Sequence, residues 1–277
     1  MRKLSLFSGI GGIDLAAHWA GMETVAFCER EPFPQAVLRK HWPNVPIYDD
    51  VCTLTADRLR EDGILGDNRT IDIISAGYPC QPFSNAGKRR GEEDDRHLWP
   101  EVARLLSEIR PRWFLGENVV GHITLGLDIV LNDLEKCGYT TQTFIIPSAA
   151  VNAPHRRDRI FIVAHTDCER PQRGETSRDV CQDGTQPSDK QFARRDNAYR
   201  QGPDKSQLGG MLDGLSSRLD QHRWPAALGQ DQYDWEPPRV TTGIKDRVGR
   251  LKALGNAVNP HQVYLVLAAI KAINDNL

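Results

Sequence analysis

Long apolar runs are missing from this chain. No stretch approaches the roughly 18 consecutive apolar residues of a membrane-spanning helix, and hydrophobic residues make up 39% of the whole. A secretory leader is also not expected. "MRKLSLFSGIGG" starts basic but runs straight into glycines, without the apolar core and cleavage site of a signal peptide. The six cysteines show neither metal-ligand spacing nor a paired pattern. Reduced thiols, no metal and a cytoplasmic compartment are therefore expected. Charge of one sign is lacking too. The 35 Lys and Arg nearly balance the 37 Asp and Glu, for a net charge of -2, so total charge announces no nucleic-acid partner. Any such surface must come from local clustering.

What is there reads as one large α/β domain with an insertion; 277 residues are enough for that. "KLSLFSG", "TVAFCE", "PIYDDV", "IDIISAG", "WFLGENV", "TTQTFIIPSA" and "RIFIVAH" read as strands. "IDLAAHWAG", "FPQAVLRKHW", "WPEVARLLSEIR" and "GLDIVLNDLEKCG" read as helices between them. Such alternation predicts a mostly parallel, doubly wound sheet. From His165 to about Arg223 large apolar residues become scarce, so this stretch cannot bury much core. "NPHQVYLVLAAIKAI" then reads as an apolar helix that returns to the sheet. The expected division is residues 1–164 plus 251–277 as one α/β domain, with residues 165–250 expected to be a small insertion, partly irregular or disordered.

Three constellations could carry chemistry. In "SLFSGIGGIDLA" a strand runs into Gly9, Gly11 and Gly12, and a helix follows. Glycines permit a tight turn and close approach of backbone to a ligand. Glu29 follows the second strand and could hold ribose hydroxyls; Asp50 follows the third and could accept from an adenine amino group. The glycine spacing fits the dinucleotide pattern G-x-G-x-x-G poorly. The second constellation is "GYPCQPFSNAGKRRG". Pro79 and Pro82 exclude a strand or helix interior, so Cys80 stands on a stiff turn beyond a strand's carboxyl end. The third joins Glu117, at the end of the fifth strand, to "PHRRDRIFIV". Glu117 faces the same edge as Cys80 and is an acid/base candidate. Arg157 and Arg159 alternate before a strand, which predicts that both side chains point to that edge as anion- or carbonyl-binding donors.

"FSGIGG", "AGYPCQPFS", "GENV", "HRRDRIFIV" and "LGNAVNP" occur in the order of the C5-cytosine DNA methyltransferase family, which the chain resembles over about its first 165 and last 25 residues. The resemblance implies a Rossmann-like fold that binds S-adenosyl-L-methionine. It implies that the Cys80 thiolate adds to C6 of a cytosine flipped out of double-stranded DNA. Glu117 would hold or protonate N3, Arg159 would bind O2 with Arg157 assisting, and Asn118 would brace the cysteine loop. For the cofactor it implies Phe7 against adenine, Gly9 and Gly11 in the backbone turn, Glu29 on the ribose, Asp50 and Val51 at the adenine, and Asn256 near the methionine end. Ser84, Lys88, Arg89 and Arg90 would belong to a mobile loop that meets DNA.

Departures from the family pattern are also present. Ser5 replaces the usual Asp before the first Leu-Phe, and His155 replaces the glutamine of Q-x-R-x-R. The resemblance implies that residues 1–164 plus 251–277 are the catalytic and cofactor-binding domain and residues 165–250 a small target-recognition region, whose shortness predicts a short or relaxed target. Its one marked basic cluster comprises Arg239, Lys245, Arg247, Arg250 and Lys252, read as contacts to the DNA backbone. Trp224, Tyr233 and Trp235 either make the small core of this lobe or touch bases, core being the commoner fate. A monomer is expected, without membrane attachment. Two other readings share the same residues: an RNA (tRNA) cytosine-5 methyltransferase, and a non-catalytic DNA-binding regulator that keeps the fold.

Overall fold

A computed structural model describes residues 1–66, 69–79, 98–167, 223–226, 229–236, 243 and 246–277. Among these, seven strands form one sheet in the order β3-β2-β1-β4-β5-β7-β6. They are β1 Arg2–Leu6, β2 Glu23–Cys28, β3 Ile47–Tyr48, β4 Ile73–Ala76, β5 Trp113–Val119, β6 Thr140–Ile146 and β7 Arg159–His165. Each falls within a segment that reads as a strand from its β-branched and aromatic content. The first five pair in parallel, whereas β7 runs antiparallel to both β5 and β6. The sheet is thus mostly parallel, as expected.

Helices cover both faces. They are α1 Gly12–Trp19, α2 Pro32–His41, α3 Ala56–Glu61, α4 Trp99–Ile109, α5 Leu127–Lys136, α6 Arg247–Asn256 and α7 Pro260–Asn274. Alternation along the strands sorts the core. Leu4, Leu6, Ile74 and Phe114 pack with Val102, Leu105 and Leu106 of α4 and Leu134 of α5. Ile73, Trp113 and Leu115 pack with Ile13 and Ala17 of α1 and Val263, Leu267 and Ile270 of α7. The closing helix therefore returns to the sheet, and Trp113 Nε1 donates to Asn274 Oδ1 at its far end (3.2 Å).

One part of the α1 interface is polar. The fully buried Lys3 ammonium pairs with Asp14 of α1 and donates to Ser75 Oγ at 3.1 Å. Ser5 Oγ and Thr24 Oγ1 also donate to the Asp14 carboxylate, each at 3.1 Å. Burial holds the Lys3 ammonium below the usual lysine range, against the opposing pull of Asp14. Ser5 is thus committed to the core.

Two helices escape the sequence reading, α3 and α6. Each starts at a polar cap: Thr55 Oγ1 accepts from Arg58 N at 3.1 Å, and Asp246 Oδ1 from Gly249 N at 3.2 Å. α6 runs across residue 250, where the recognition region was expected to end, so that boundary falls inside a helix.

Candidate active site

Parallel strands deliver their carboxyl ends to one edge, and the loops there enclose a cleft of about 490 Å³. At its β1 end the chain turns sharply: Phe7, Gly9 and Gly11 all adopt left-handed φ, at 53°, 55° and 84°. Gly9 N–H donates to Glu29 Oε2 at 2.7 Å, and Glu31 N–H donates to Glu29 Oε1 at 2.8 Å. The buried Glu29 carboxylate therefore ties the glycine turn of β1 to the loop after β2. At the end of β3, Asp50 Oδ1 accepts from Cys52 N at 2.9 Å, which folds that loop into a tight turn. Phe7, Gly9, Glu29, Asp50 and Val51 all line the cleft.

Gly11 does not line it. A Cβ there would lie 2.7 Å from the Trp42 ring. Its absence lets the turn pack against the end of α2, so its part in the turn is steric.

The opposite wall of the cleft comes from Glu117, Asn118, Val119 and Arg159. Glu117 follows the β4–β5 pairing of Ala76 with Gly116, next to Gly77. Arg159 Nε lies 2.9 Å from Glu117 Oε1. Burial nevertheless pushes the Glu117 carboxyl up to about 7, with Arg159 and Arg157 pulling it down. Asn118 Nδ2 donates to the Tyr78 carbonyl at 3.0 Å, so β5 holds the loop two residues before Cys80.

Arg157 behaves differently from the expectation that it points with Arg159. Its φ is 37°, which breaks the strand alternation. Its guanidinium Nη2 donates to the carbonyls of Gly255, at 2.7 Å, and Ala257. These flank Asn256, which does line the cleft. Arg157 thus pins the α6–α7 junction, while Arg159 alone of the two lines the cleft.

Gly249, Lys252 and Ala253 bring α6 to the same cleft, and Lys252 Nζ reaches Glu31 Oε1 at 3.1 Å. Arg247 and Arg250 are exposed on α6. Trp224 packs against His261 of α7, with ring centroids 5.2 Å apart. Tyr233 and Trp235 stack on each other at 5.8 Å and remain 51% and 45% exposed, so these two are not buried in a core. Cys80, Ser84, Lys88, Arg89, Arg90, Arg239 and Lys245 lie outside the described residues.

Sequence reasoning missed Tyr78, His122 and Lys252 as parts of this edge. Tyr78 Oη lies 3.0 Å from His122 Nε2. No spacing signal singles out a lone histidine past a strand end, and a lysine in a basic run gives no sign that it faces Glu31.

Residues 1–217 match the profile of the C-5 cytosine-specific DNA methylases. The chain belongs to that family. It is 34% identical over 173 residues to the Type II methyltransferase M2.BsuMI of Bacillus subtilis, covering 59% of this chain and 42% of that protein. It is 31% identical over 178 residues to the Type II methyltransferase M.AquIA of Picosynechococcus, covering 59% and 71%. A crystal structure of an Escherichia coli prophage-encoded protein, described as a DNA modification methyltransferase, superposes with a TM-score of 0.51 at 26% identity, covering 60% and 47%. The chain spans about two fifths of the length of several curated relatives it matches. No helix among the described residues is long and apolar enough to cross a membrane.

Proposed function

We propose that this methylase-family chain is a DNA (cytosine-5-)methyltransferase that uses S-adenosyl-L-methionine. The observation that carries the reading is one continuous cleft. It runs from Asp50 and Glu29, beyond β3 and β2, past Phe7, beyond β1, to the Glu117–Arg159 pair on β5 and β7. A methyl donor and an acceptor base can therefore meet in one enclosed space.

The lining fits the donor. Phe7 offers an aromatic ring for an adenine, and the carboxylates of Glu29 and Asp50 accept from hydroxyl and amino groups. Glu29, Glu31, Asp49 and Asp50 outnumber Arg30, Arg159 and Lys252 in the cleft wall, even with Glu117 counted as neutral. That balance suits a cationic sulfonium better than a polyphosphate. When bound, S-adenosyl-L-methionine supplies an electrophilic methyl group.

The chain's own groups do the rest. The Cys80 thiolate adds to C6 of the cytosine and makes C5 nucleophilic. Glu117 donates a proton to N3, which absorbs the electron pair of that addition. Arg159 holds O2 and keeps the pyrimidine in plane with the carboxyl. After methyl transfer to C5, a base, which we take to be water, removes the C5 proton, the thiolate leaves, and N3 returns its proton to Glu117. The base must leave the duplex stack to reach this edge. Residues 165–250 are the proposed recognition region. Ser84, Lys88, Arg89, Arg90, Arg239, Lys245, Arg247 and Arg250 are proposed to face DNA, in the cytoplasm of a bacterial or phage-infected cell.

Covalent trapping tests the proposal. The protein is mixed with S-adenosyl-L-methionine and duplex DNA carrying 5-fluorocytosine, whose C5 fluorine cannot be eliminated. The expected result is a denaturant-resistant adduct that disappears with Cys80→Ala. An adduct on substituted tRNA alone would move the assignment to RNA. Cofactor binding without any adduct would make the chain a non-catalytic DNA-binding regulator.

A further inference from the structure

The described chain stops just before Cys80, at Tyr78 and Pro79, and resumes at Leu98. Both flanks meet in one aromatic cluster. The Tyr78 ring packs on Trp99, with centroids 5.1 Å apart, and on His122 at 5.5 Å. Tyr78 and His122 are both buried, at 3% exposure.

Packing alone would be served by phenylalanine at 78. The hydroxyl adds direction. His122 Nδ1 faces the Leu125 carbonyl at 3.1 Å, and a carbonyl can only accept, so Nδ1 carries the proton. Nε2 is then the acceptor for Tyr78 Oη. Burial holds the imidazole below the usual histidine range, in keeping with a neutral ring that accepts. Meanwhile Asn118 holds the Tyr78 backbone carbonyl. Tyr78 is thus gripped at side chain and main chain by two residues of a single segment, Asn118 and His122. The same segment begins with Glu117.

We infer that His122 is a positioning residue for the reaction: acting through Tyr78, it fixes the backbone from which Cys80 extends relative to Glu117. The inference rests on the proposed role of Cys80 as nucleophile. A thiol must approach C6 along one direction, and a misplacement near 1 Å can cost a hundredfold in rate. Tying Tyr78, two residues before the thiol in sequence, and the acid to one short segment limits that error. His122 itself does not line the cleft.

The test is the rate of adduct formation on 5-fluorocytosine duplex DNA at saturating S-adenosyl-L-methionine, with KM for both substrates. His122→Phe removes the acceptor and Tyr78→Phe removes the donor. Each should slow trapping about tenfold, the loss expected for one directional hydrogen bond worth ~1.4 kcal/mol, with KM unchanged. The double variant should be no slower than either single one. His122→Gln, whose amide oxygen can accept, should recover most of the rate. Cofactor affinity reports that each variant is folded; if His122→Phe fails to fold, Tyr78→Phe, which loses only a hydroxyl, decides the matter. Wild-type trapping rates in both single variants, or rate losses that multiply, overturn the inference alone. No adduct with the wild-type protein overturns the assignment of Cys80, and this inference with it.

Discussion

Arg159 Nε stands 2.9 Å from Glu117 Oε1, and the carboxyl it faces is still pushed up to about 7 by burial. A protonated Glu117 can donate to N3; an ionised one cannot. The proton is present below about 7 and lost as the pH rises through it. The fold therefore favours the protonated form, and the stability this adds is fully present below the ordinary glutamate range and lost as the pH approaches 7. Single-turnover methyl transfer, followed from about pH 6 to pH 9, should show a factor that declines through pH 7. Glu117→Gln should be slower by about 10² to 10⁴ and lack that decline. The ratio of the two profiles isolates the carboxyl from the thiol's own ionisation. A pH-independent ratio would remove Glu117 as the acid.

Arg157 predicts a different outcome from its neighbour. Its guanidinium holds the carbonyls on either side of Asn256. Arg157→Ala should free that junction and weaken S-adenosyl-L-methionine binding about tenfold, the loss of roughly 1.5 kcal/mol expected for hydrogen bonds from a charged donor. Calorimetric titration reads this directly. Arg156→Ala, which loses only an exposed pair with Asp158, is the control and should bind as the wild type does. Equal affinities for the Arg157 variant and the wild type would show that the junction holds without it.

These contrasts mark what was legible in the sequence. The seven strands and the closing helix could be read because β-branched runs and apolar periodicity act locally. Glu29 and Asp50 could be placed because topology alone sends strand ends to one edge. Arg157 could not. Alternation predicts a shared direction with Arg159, but a single left-handed residue breaks it, and the partner carbonyls lie near residue 256. α6 is hard to read because Gly249 and Gly255 weaken its helical signal, and the apolar residues it spaces at helical intervals, Val248, Leu251 and Leu254, are exposed instead of packed. Tyr78 and His122 meet only in three dimensions, across the β4–β5 edge.

The Lys3–Asp14 pair invites a stability measurement. Both side chains are fully buried, so Asp14→Ala leaves an ammonium among Ser75 and apolar neighbours. Breaking a buried pair in this way costs about 3–5 kcal/mol, which a lowered urea midpoint at unchanged slope would register. Replacing both partners, Lys3→Met with Asp14→Leu, should recover most of that loss. A variant Asp14→Ala as stable as the wild type would mean that Lys3 sheds its proton or finds water or another acceptor.

Gly9 and Gly11 separate binding from packing. Both have positive φ, so alanine at either should strain the backbone by about 1–2 kcal/mol. At Gly11 a Cβ would also meet Trp42 at 2.7 Å and Leu38 at 3.1 Å; at Gly9 nothing lies within 4 Å. Gly11→Ala should therefore be the less stable protein in urea, and Trp42→Leu should relieve part of its loss. Gly9→Ala should keep most of its stability and lose affinity for S-adenosylhomocysteine, because Gly9 lines the cleft and its N–H anchors Glu29. Gly9→Ala binding as tightly as the wild type, with Gly11→Ala binding worse at equal stability, would reverse the two roles. The turn would then hold its ligand through Gly11.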